Sequence, residues 1–140
     1  MLLLDLNFQA IDWRAQIARG RWTTTGARRR GSVFSAEQAM PLVREILTEA
    51  WSIARSMPRA ANLVFGMGPA VSAVIARLPA SDSDRAVPGC SQHLRSRWEE
   101  RPGFWTSLLD AALGMDDKAL ANVHLHSLQL LGTELLLPYN

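Results

Sequence analysis

The segment from Pro41 to Met57 constrains the fold more than any other part of the chain. Val43, Ile46, Leu47, Ala50, Trp51, Ala54 and Met57 recur at spacings of three and four, while Arg44, Glu45, Thr48, Glu49, Ser52 and Arg55 fill the rest of the circumference. A helix turns about 100° per residue, so this spacing gathers the apolar side chains into one continuous stripe that must be buried against other elements. Proline suits the first turn of a helix, and Pro41 is therefore read as its start. Ser35 and Gln38 form a capping-box pattern just upstream, but a helix begun at Ala36 would place Pro41 where its missing N–H breaks the hydrogen-bond ladder.

The remaining periodicity is helical as well. Leu4, Phe8, Ile11, Ala15 and Ala18 share one face of an expected first helix that Gly20 ends. A short helical piece is expected over 59–65, closed by Gly66-Met67-Gly68-Pro69, followed by an apolar helix over 69–78. The Pro-, Ser-, Asp- and Gly-rich run 79–92 reads as a surface linker, and 93–100 as a short polar helix. Phe104 to Leu113 forms a further helix ended by Gly114. A last helix, capped by Asp116 and Asp117, carries Leu120, Val123, His124, Leu128, Leu131 and Leu135 on one side and Leu125, Leu130 and Leu136 elsewhere.

The expected fold is thus all-α, a compact bundle of five to six helices in a single domain over 1–140. The exception is a basic segment near residues 20–34, irregular or folded as a β-ribbon with 22–25 paired to 30–34. A chain of 140 residues is long enough to bury one substantial core, and its 48% hydrophobic and 20% charged content matches a globular protein. The apolar start, Met1 to Leu4, stops at Asp5, so neither a membrane span nor a signal peptide is expected. The single cysteine, Cys90, cannot form an internal disulfide, which fits the reducing cytoplasm.

Several chemistries lack their residue sets. His124 and His126 would point about 200° apart on a helix, whereas a chelating pair needs a spacing of four. With no CxxC or HExxH in the sequence, no metal or other cofactor is expected; His124 is read as a core residue and His126 as a surface one. Cys90 and His93 could meet at a helix start and form a nucleophile and base, although a passive cysteine is the commoner case. The pairs Glu99–Glu100 and Asp116–Asp117 diverge as helix neighbours and serve capping and solubility. The glycines around Met67 lack the GxxxxGK[ST] pattern, and the sole lysine, Lys118, lies far away. No enzyme is expected.

What remains is charge distribution. Residues 1–31 hold Arg14, Arg19, Arg21, Arg28, Arg29 and Arg30 against Asp5 and Asp12, a net of +4 in a chain whose total is +2. Arg and Trp are the favoured anchors of protein interfaces. Arg14, Arg21, Arg28, Arg29 and Arg30, with Trp13, Trp22 and Trp98, are therefore the candidate partner-binding residues. The expected function is a non-enzymatic adaptor or inhibitor that docks on another protein complex, the kind of product that phages and mobile elements encode. An inhibitor of this composition would wedge or mask, because a mimic of nucleic acid would be strongly acidic. The alternative is a small DNA- or RNA-binding regulator that grips phosphates with the Arg28–Arg30 loop. The two-faced hydrophobicity of the last helix adds the expectation of a homodimer.

Overall fold

The computed structural model describes residues 3–20 and 34–136. Among them are seven α-helices and one two-residue antiparallel ladder, so the fold is all-α, with slightly more helices than the periodicity indicates. The expected basic ribbon over 20–34 lies almost entirely outside the described residues. The chain divides into two compact units, Met1–Ser96 and Arg97–Asn140.

The N-terminal unit is built on α2, Ala36–Ser56. Its buried residues, Ala39, Val43, Ile46, Leu47, Ala50 and Ala54, follow the expected stripe with one extra turn at the start. That turn corrects the reading that placed the helix start at Pro41. The Ser35 side chain accepts from the Gln38 N–H at 3.2 Å, and the Gln38 side chain accepts from the Ser35 N–H at 3.0 Å, completing the capping box. Pro41 and Glu37, whose carbonyl loses its partner to the proline ring, are both exposed, so water can take the place of the lost bond. Two satisfied N-terminal groups and the burial of Ala39 outweigh that loss.

Three helices pack on α2: α3 (Pro58–Phe65), α4 (Pro69–Ala76) and α5 (Ala80–Cys90). Gly66 ends α3 in the left-handed conformation, at φ 61°. Helix α5 replaces the expected linker. Its Ser- and Asp-rich start, which reads as loop composition, is a first turn where Asp82 favours the positive helix end. Its apolar positions Ala86, Val87 and Cys90 are buried, while Pro88 remains on the exposed side.

The first segment also departs from its helical period. Leu4 and Asp5 form strand β1, which pairs with β2, Arg95–Ser96, in the register Leu4 to Ser96 and Asp5 to Arg95. Arg95 donates from Nε and Nη2 to Asp5 Oδ2 at 2.9 and 2.7 Å across the ladder. Asn7 turns the chain at φ 49°, Phe8–Ala10 makes one 3₁₀ turn, and the true helix α1 is only Trp13–Arg19. A lone helix of fifteen or so residues is marginal in water, so a pairing ninety residues distant in sequence displaces it. Gly20 ends α1 as expected, at φ 58°. The same β2 strand and a 3₁₀ turn at Ser91–His93 stand where a polar helix over 93–100 is read from the sequence. Phe8 is buried at the joint of this arm, stacked on Trp13 at 5.7 Å and edge-on to Phe65 at 5.9 Å.

The C-terminal unit is a helical hairpin of α6, Pro102–Leu113, and α7, Asp117–Leu136. Asp116 caps α7, its Oδ1 accepting from the N–H groups of Lys118 and Ala119 at 3.0 Å. The buried face of α7 is Val123, Ser127 and Leu130. His124 and Leu128, expected inside, are exposed. A helix apolar on several sides leaves the choice of face to packing, and here α6 makes it by supplying Phe104 and Ala111.

Ser72 on α4 is 2% exposed, and its hydroxyl has no hydrogen-bond partner among the described residues. A buried hydroxyl without a partner costs about 1–3 kcal/mol. Ser72→Ala is therefore expected to hold or raise stability by up to about 1 kcal/mol, read as the midpoint of urea unfolding; a loss of that size would show that the hydroxyl is satisfied in solution.

Candidate functional site

Helix α1 presents Arg14, Ile17 and Ala18 on one face, at spacings of three and one. Across from them lie Val74 of α4 and the turn residues Arg77, Leu78 and Pro79. Together they line a groove of about 300 Å³ that opens to solvent, a size at the lower end of ligand pockets. Its surface is almost wholly apolar apart from the two arginines. Arg14 and Arg77 form no ion pair with any described residue, so their guanidinium groups can meet an incoming carboxylate in a two-pronged geometry.

The groove wall is fixed from behind. Arg77 and Leu78 close α4 by donating their N–H groups to the Val74 and Ile75 carbonyls at 3.1 Å, and Pro79 is the N-cap of α5. Trp51 of α2 donates from Nε1 to the Leu78 carbonyl at 2.7 Å, with the Arg55 guanidinium 4.7 Å from its ring centre. Trp51 is a positioning residue for the groove; the sequence marks it only as part of a core stripe.

Of the candidate partner-binding residues that are described, only Arg14 lies at this groove. Arg21, Trp22, Arg28, Arg29 and Arg30 lie outside the described residues. Trp13 and Trp98 are 2% and 5% exposed, which removes both rings from the surface where anchors were expected. Trp13 donates from Nε1 to the Phe8 carbonyl at 2.9 Å. Trp98, at φ 54°, donates to Glu134 Oε1 at 2.6 Å and packs edge-on to Phe104 at 4.8 Å, while Arg97 donates to Glu134 Oε2 at 2.7 Å. Trp105 donates to the Arg97 carbonyl at 2.8 Å. Each described indole N–H is thus spent inside the chain, as expected for a buried ring with a polar edge. Ile17, Arg77 and Pro79 were missed because nothing in a linear pattern shows that two helices leave a gap between them.

Helices α3 and α4 meet at a bend of 115° through Gly66–Gly68, the outline of a helix-turn-helix. The exposed residues of the second helix are Pro69, Ala70 and Ala73, none of which has a side chain able to hydrogen-bond a base edge. No single described helix is long and apolar enough to cross a membrane, and among the described residues no three of His, Cys, Asp and Glu converge as metal ligands. Comparison with protein-family models, characterised proteins and solved structures finds no match.

Cys90 is buried, and desolvation pushes its pKa from 9.0 to about 12. Burial also lowers the pKa of His93. A protonated, buried thiol is no nucleophile at neutral pH, so the Cys90–His93 pairing has no chemistry of that kind to offer. Native protein is expected to react with a disulfide reagent at pH 7.5 only as fast as it unfolds; prompt labelling would contradict the burial. The raised Cys90 pKa adds stability that is complete below about pH 9 and lost as pH rises toward 12. The lowered His93 pKa adds stability present above about pH 6.5 and lost on acidification. A stability plateau between these limits, with its alkaline edge removed in Cys90→Ala, is the expected profile. Separately, Trp51→Phe is expected to cost about 1–2 kcal/mol, because it leaves the buried Leu78 carbonyl unpaired.

Proposed function

We propose that the protein is a non-enzymatic interaction protein that docks on another protein through the arginine-bordered groove of its N-terminal unit. The observation that carries this reading is the pairing of an apolar floor, Ile17, Ala18, Val74 and Leu78, with two arginines that have no ion-pair partner among the described residues. The complementary ligand is a protein segment with an aliphatic side chain flanked by Asp or Glu. Apolar burial in the groove supplies affinity, and carboxylate pairing at Arg14 and Arg77 supplies orientation. The further arginines of the 21–30 segment extend the basic character of the same unit in sequence. As an adaptor or inhibitor, the protein acts by occupying a partner's surface, with no bond made or broken.

Selection from a displayed library of twelve-residue peptides tests this directly. Enrichment of sequences with Leu or Ile between acidic residues is expected. Binding of the selected peptides should fall about tenfold or more in Ile17→Arg and in Arg14→Glu/Arg77→Glu, with helicity unchanged. Equal binding by all three proteins, or enrichment of basic peptides, would overturn the reading. If duplex DNA or RNA binds instead, with a salt dependence that Arg28→Ala/Arg29→Ala/Arg30→Ala flattens, the protein is a nucleic-acid-binding regulator.

A further inference from the structure

Helix α7 carries a second surface, independent of the groove. Its outer side, turned about 180° from Val123, Ser127 and Leu130, is lined by Ala121, Leu125, Leu128, Gly132 and Leu136, a seam about 22 Å long. Leu125, Leu128 and Leu136 are 60%, 50% and 86% exposed. Between Lys118 and Glu134 the helix has no Asp, Glu, Lys or Arg, although an exposed helix face is ordinarily charged. A charge-free apolar centre is the composition of an interface core.

The seam also matches itself. Reversed and laid over itself about a point between Leu128 and Gln129, it places Ala121 opposite Leu136 and Leu125 opposite Gly132, while the two Leu128 side chains meet beside the axis. Every small residue then faces a leucine. At Gly132 a built Cβ finds nothing within 4 Å, so the hollow over that position is open to a side chain from outside the chain. The 4-3-4 spacing of Ala121, Leu125, Leu128 and Gly132 is that of helices whose side chains interlock along a seam. We infer that α7 pairs antiparallel with α7 of a second copy of this chain, about a twofold axis beside Leu128. With no Asp, Glu, Lys or Arg between Lys118 and Glu134, the seam brings no like-charged pair of those residues together across such an axis.

Size-exclusion chromatography with light scattering, from about 2 to 200 µM, tests the pairing. The parent protein is expected to approach twice the 15.5 kDa of one chain as concentration rises. Leu128→Asp should weaken association about thirtyfold or more. Gly132→Leu adds a side chain at a position where a built Cβ meets nothing within 4 Å, and it favours helix, so it should fold normally by circular dichroism yet associate more weakly. Adding Leu125→Ala to Gly132→Leu puts a small residue opposite the new leucine and should restore the dimer. A parent protein that stays monomeric at the highest concentration, association unchanged in Gly132→Leu, or a double variant no tighter than Gly132→Leu alone would each overturn the pairing. The seam shares no residue with the groove, so the peptide-binding variants test that reading separately.

Discussion

Burial of the α2 stripe is the interaction on which the N-terminal unit depends. Val43, Ile46 and Leu47 each contribute roughly 1.5–3 kcal/mol when removed from water, and they do so only because α3, α4 and α5 cover them. The small residues on the same face, Ala39, Ala50 and Ala54, let those helices approach closely. Trp51 sits at the edge of the stripe, and its indole N–H holds the Leu78 carbonyl. The turn at 77–79, one wall of the groove, is therefore held in place by the same helix that forms the core.

The tryptophans illustrate how a structural demand overrides a surface role. An indole N–H buried without an acceptor costs as much as any orphaned donor, so a tryptophan can enter a core only where a carbonyl or carboxylate waits. Trp13, Trp51, Trp98 and Trp105 each meet that condition, through Phe8, Leu78, Glu134 and Arg97. Those rings are thus tied to acceptors within the fold. Arg14 and Arg77 border the groove, whereas Arg95 and Arg97 are engaged with Asp5 and Glu134. Among the described residues, the presence of a carboxylate partner separates the two pairs of arginines.

Much of the helical architecture was legible in the linear pattern. The α2 stripe, the glycine stops at Gly20 and Gly66, the cap at Asp116 and the helix before Gly114 all rest on local physics: periodicity, left-handed glycine and side-chain capping. Of the candidate site residues, Arg14 alone is at the groove among those described. The misplaced segments have separate causes. At Leu4–Asp5 a distant strand competes with a marginal helix, at 79–92 a polar composition hides the buried apolar side chains of Ala86, Val87 and Cys90, and at Pro41 a complete capping box offsets an exposed broken bond.

By itself the sequence determined that this chain is all-α, where its long helices lie, and that its N-terminal third is rich in arginine. Those properties follow from turn-by-turn energetics that act over three or four residues. Only the tertiary structure decided which face of α7 turns inward, that Trp13 and Trp98 are core residues, and that Ile17, Val74 and Leu78 share a groove with Arg14 and Arg77. Each of those outcomes depends on side chains far apart in sequence competing for the same buried space, and no local period records who wins that competition.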